Sequence, residues 1–151
     1  MAYADALRTE TYTGDDVADL IEGVASSGFP LALSTWAPTL GANNSMTFTS
    51  TTVDAARYVQ IGKIVFFFVV FHGTVGGTPS TALTFTLPVT AVSTYTNLPL
   101  TASTVQSGGQ NLVGCSYLSS TTVANVTRSD VSNWTAGSGT YARVQGFYEA
   151  A

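Results

Sequence analysis

Hydrophobic positions along the chain fall into two regimes. Between Thr13 and Pro30 they recur at Val17, Leu20, Ile21 and Val24, the i, i+3, i+4, i+7 spacing of one helical face. This spacing predicts a short amphipathic helix over about 14–26. Thr13 or Gly14 can cap it, Asp15 and Asp16 suit the positive end of its dipole, and Ser26 to Pro30 closes it. From Trp36 onward the helical period is gone. Turn residues now punctuate the chain at short intervals: Gly41 to Asn44, Gly62-Lys63, Gly73 to Pro79, Asn97 to Pro99, Ser107 to Asn111, Ser129 to Asn133 and Gly137 to Gly139. Between them lie strand candidates at roughly 45–53, 56–61, 64–72, 82–88, 100–106, 111–118, 121–128 and 140–149, a spacing that predicts two packed antiparallel sheets. The expected fold is therefore all-β: an antiparallel β-sandwich, jelly-roll-like, over 31–151, with a short N-terminal helical arm over 1–30.

The turn at Gly62-Lys63 is the most informative segment, because a two-residue Gly-X turn fixes the register of its flanks. Ile61 should face Ile64, Val59 should face Phe66, and Arg57 should face Phe68. The first strand puts Tyr58 and Gln60 on its second face. The second strand is apolar on both: Ile64, Phe66, Phe68 and Val70 fill one face, and Val65, Phe67, Val69 and Phe71 the other. Antiparallel sheets usually leave one face wet, so such a strand needs a second cover. Left bare, Ile64 to Phe71 would be an aggregation-prone segment without charge or proline. Three solutions are open: the strand is central in the chain's own core, the N-terminal helix covers it, or a subunit contact covers Val65, Phe67, Val69 and Phe71.

Composition sharpens the β reading. Only 9% of the 151 residues are charged, and polarity comes instead from 24 Thr and 15 Ser. Thr, Val, Tyr and Phe fit a pleated surface, whereas Lys, Glu and Gln, which build surface helices, are scarce. Charge then divides the chain. Residues 1–30 carry six acids against Arg8, while residues 31–151 carry Asp54, Asp130 and Glu149 against Arg57, Lys63, Arg128 and Arg143. The arm is an acidic module whose apolar stripe packs either on its own domain or on a neighbouring protein. A net charge of −4 leaves no basic face for nucleic acid. The longest apolar run, Ile64 to Phe71, falls far short of the roughly 20 residues a membrane helix needs, so no membrane insertion is expected. Met1 to Asp5 has neither a basic nor an apolar region of the signal-peptide kind, so export by the usual route is not expected either.

Candidate chemistry is sparse. His72 is the sole histidine, with no Gly-x-Ser-x-Gly or Cys-His pattern beside it, and reads as a loop-edge or interface residue. Cys115, the single cysteine, can form no internal disulfide and reads as a small buried residue. No Cys/His cluster suggests zinc, no cofactor is implied, and beyond the arm only Asp54, Asp130 and Glu149 could act as carboxylates. The expectation is a protein without catalysis. Trp36, Asn133 and Trp134 are the candidates for stacking on, and hydrogen bonding to, a glycan, with burial as packing residues the plainer alternative.

Several segments taken in order carry a resemblance: Trp36-Ala-Pro38, Ala56 through Phe67, Leu83 through Pro88, Asn133-Trp-Thr135 and Val144 through Glu149. They resemble the small C-terminal β domains of tailed-phage virion proteins over about residues 34–151. The resemblance implies a β-rich domain, often trimeric, displayed on the virion exterior and without activity of its own. A fibre protein's long repetitive shaft has no counterpart, so the expectation is a capsid decoration or cement protein, a homo-oligomer expected to be a trimer with Ile64 to Phe71 or its neighbours near the subunit contact, that binds other virion proteins, such as the major capsid or tail protein. The alternative is a tail-fibre or receptor-binding component that recognises a host-surface glycan.

Overall fold

The computed structural model describes residues 33–93, 97–106 and 110–151. The predicted helix, with Val17, Leu20, Ile21 and Val24, lies outside the described residues. Regular structure within them is strand: β1 (Ser34–Thr35), β2 (Leu40–Ala42), β3 (Met46–Ile61), β4 (Ile64–Gly77), β5 (Ala82–Thr86), β6 (Pro99–Gln106), β7 (Gln110–Leu118), β8 (Val123–Arg128) and β9 (Gly137–Glu149). All pairings are antiparallel, and hydrogen bonding is continuous in the order β1-β3-β4-β9-β6-β7-β8-β5-β2. One curled sheet of nine strands thus stands where two sheets were expected. The curl is visible in the core. Phe67 and Phe71 of β4 lie 6.1 and 6.0 Å from the ring of Phe85 on β5, five places further along the strand order.

The segment from Leu33 to Ala42 ties the two edges together. β1 pairs with β3 at one edge, and β2 pairs with β5 at the other. Between them Trp36 packs edge-on against Tyr58 and Phe67 and donates its indole N–H to the Thr86 carbonyl. β1 and β2 are thus the edge strands, two and three residues long, and edges this short present little unpaired backbone.

The β3–β4 hairpin forms in the register the Gly62-Lys63 turn requires, with Ile61, Val59 and Arg57 opposite Ile64, Phe66 and Phe68. Gly62 adopts φ 59°, which a primed turn needs and which glycine supplies without steric cost. The hairpin is longer than its sequence suggests. The two strands expected at 45–53 and 56–61 are one strand, bent by register shifts at Thr49/Thr52 and Val53/Ala55, and β4 runs on through Gly73 to Gly77. Gly73 is not a turn residue at all: a Cβ there would lie 2.7 Å from the Phe48 ring, so the glycine exists to admit that ring.

The core lies under β4, β9, β6, β8 and β5, and its largest fully buried side chains are Trp134, Tyr148, Phe71 and Phe85. Val65, Phe67, Val69 and Phe71 belong to it. The assignment of these four to a subunit interface is corrected: they point inward against Phe85 and Tyr148, and the face left for a neighbour is the alternate one.

Candidate functional site

The outward face of β3, β4, β9 and β6 is built from ridges that cross the strands, because opposed residues in an antiparallel sheet share a face. Counting from the hairpin tip, Ile61 and Ile64 form the first ridge and Val59, Phe66 and Phe147 the second. Arg57, Phe68, Gln145 and Thr101 form the third, and Ala55, Val70, Arg143 and Ser103 the fourth. Phe66, Phe68 and Phe147 keep 43%, 37% and 60% of their surface in water, and Leu33, Ile61 and Ile64 are exposed beside them. The Phe66 and Phe147 rings touch at 5.8 Å.

Between ridges lie furrows. A depression of about 340 Å³ is floored by Val69, Val144 and Ala102, whose side chains are buried on the inward face, and walled by the third and fourth ridges. A second, of about 400 Å³, is floored by Phe67, Gly146 and Leu100 and bounded on one side by Phe66 and Phe147. Gly146 has no side chain to offer there, and Leu100 fills the place: a Cβ would meet its Cδ2 at 2.6 Å.

A polar cluster bounds the face at the far end of β4. The shift between Val53 and Ala55 leaves Asp54 as an extra residue in β3, and such a bulge re-aims the side chain it carries. Asp54 Oδ2 thus lies 2.9 Å from His72 Nδ1. The His72 ring stacks on Tyr141 with centroids 4.7 Å apart, and Arg143 sits 6.0 Å over that same Tyr141. His72 is therefore a mid-strand residue anchored by a carboxylate and a ring rather than a loop-edge one. Among the described residues no three His, Cys, Asp or Glu side chains gather as a metal site would require.

The glycan candidates are not brought together. Trp134 is 1% exposed, its indole N–H donating to the Thr81 carbonyl and its backbone N–H to that of Ser80. No ring face is left for a sugar, and the assignment of Trp134 as a glycan contact is corrected to a packing role. Trp36 is half-buried at the seam described above. Asn133 is exposed, and its carbonyl accepts from Arg128, which also pairs with Asp130 at 2.8 Å. The backbone N–H and then the hydroxyl of Ser132 hold the Asp130 carboxyl below its usual range, with Arg128 adding to the effect. This tight loop leads directly into Trp134. Cys115 is exposed, not buried, because Gly114 and Ser116 take the inward positions of β7.

Sequence reasoning set Phe66 and Phe68 on one face of the strand but assigned the contact to the other, and it passed over Phe147, Arg143 and Gln145. The signal was present in β9, where Arg143 and Gln145 alternate with Ala142 and Val144 and so mark which face meets water. No family model, no characterised protein and no solved structure matches the chain.

Proposed function

We propose that this chain is a non-enzymatic structural protein of a bacteriophage particle, an oligomeric β domain on the particle exterior of the decoration or cement type. The observation that carries the reading is the aromatic face of β3, β4 and β9. Both edges of β4 are satisfied by β3 and β9, so backbone pairing is complete and only the side-chain face remains for a neighbour. Isolated monomers rarely expose a contiguous apolar patch of more than about 300–600 Å², and larger ones rimmed by polar groups mark protein contacts. Phe66, Phe68 and Phe147 form one exposed apolar cluster with a polar rim of Arg57, Arg143, Thr101 and Ser103. The curled sheet is consistent with a sandwich-like display domain, and the segments that resemble tailed-phage exterior proteins include both halves of this face.

Quantitative mass spectrometry of purified particles of the phage that encodes the chain tests the assignment. The expected result is a stoichiometry near that of the major capsid protein. Absence from particles overturns it, and confinement to the few copies of a tail overturns the decoration assignment.

A further inference from the structure

We propose that the occupant of the aromatic face is a second copy of this chain, packed sheet against sheet about a two-fold axis; the inference rests on the assembly reading above and specifies its contact. Self-complementarity is the reason. Ridges on one face of a strand are about 6.8 Å apart, so two such faces interlock only if the ridges of one fall in the furrows of the other. A single axis lying in the interface, crossing the strands just to the hairpin-tip side of Phe68, satisfies this twice. It sets the Phe66–Phe147 ridge of each copy in the furrow floored by Val69, and the Phe68 ridge in the furrow floored by Phe67. At about 340 and 400 Å³ the furrows are of the size that admits small organic groups, which a phenyl ring matches.

Area agrees. Four strands about 4.8 Å apart and some nine residues at about 3.4 Å give a face of roughly 600 Å² before its corrugation is counted, against about 800 Å² per partner in a standard interface. The same surface patch on both partners is the isologous arrangement of a closed dimer, which also buries the patch completely and leaves nothing to propagate into fibres.

Sedimentation of the full chain from nanomolar to high micromolar concentration tests the proposal. The wild type is expected to be a dimer, and Phe68→Lys with Phe147→Lys should weaken association at least about 30-fold while the far-ultraviolet spectrum stays unchanged. Gln145 lies on the ridge beside the axis, so in a Cys115→Ser background Gln145→Cys should be joined to its copy by a short bis-maleimide cross-linker, which spans the roughly 10 Å between packed sheets. This second variant keeps the test decisive if the lysines disturb folding. A monomer at every concentration, a trimer, or a dimer that the lysine pair leaves intact overturns the two-fold contact. A dimer formed by a chain that is absent from particles would instead overturn the functional assignment and leave the contact standing.

Discussion

Tyr148 lies in the core with its hydroxyl donating to the Val89 carbonyl and accepting from the Val89 N–H. Burial raises its pKa to about 12 from 10.0, with the Val89 hydrogen bond opposing and Tyr58 adding slightly. The folded state therefore favours the protonated phenol. Its contribution is complete below about pH 10 and is lost as pH rises from there through about 12, on the order of 2 kcal/mol in all. Denaturant unfolding followed against pH should show wild type losing stability over that interval. Tyr148→Phe should start about 1 kcal/mol lower, with Val89 left unpaired, and decline less steeply. Equal slopes would show that Tyr148 ionises as freely in the folded chain as in the unfolded one. Trp134 teaches the complementary lesson. Its neighbours Ser132, Asn133 and Thr135 are turn residues, and local sequence left both a packed ring and a displayed one open. What fixes it inside is the pair of carbonyls of Ser80 and Thr81, partners about fifty residues away that no local pattern reveals.

At the scale of the element, the β3–β4 hairpin was legible because its turn chemistry is local and strict, and the pairings Ile61/Ile64, Val59/Phe66 and Arg57/Phe68 follow from it. Which face of β4 turns inward was not legible from β4, since Phe66 and Phe68 are as apolar as Phe67 and Phe71. The choice is made by its neighbours: Arg57 opposite Phe68 and Arg143 opposite Val70 keep that face in water, while Ala142 and Val144 follow Phe71 and Val69 inward. Gly73 misled in the same way, since a glycine that admits an aromatic ring reads like one that makes a turn. Gly73→Ala should therefore cost about 1–3 kcal/mol, because its Cβ meets the Phe48 ring and, at 3.0 Å, the Thr49 carbonyl. Phe48→Ala combined with it should recover part of that loss in a double-mutant cycle. Additive effects would show that Phe48 is not what the glycine makes room for.

At the scale of the whole molecule, a chain with few charges has little to steer it toward a partner, and its affinity must come from buried apolar surface. Fully burying a phenylalanine is worth roughly 1.5–3 kcal/mol, whereas a surface ion pair contributes about 0–1. The fold concentrates that potential in one place. Its two edge strands, β1 and β2, are only two and three residues long, its core is filled by Phe71, Phe85, Trp134 and Tyr148, and among the described residues Ile64, Phe66 and Phe68 of β4 and Phe147 of β9 stand exposed on one face with Leu33 and Ile61 beside them. The central claim is that this face is a contact surface between protein molecules, and hydroxyl-radical footprinting tests it most directly. Dilute chain and assembled chain would be oxidised in parallel and the modified aromatics read by mass spectrometry. Phe66, Phe68 and Phe147 should be oxidised when dilute and protected when assembled, with Phe71 and Phe85 protected in both. Equal oxidation of the three in both states, with protection arising elsewhere on the surface, would contradict the account.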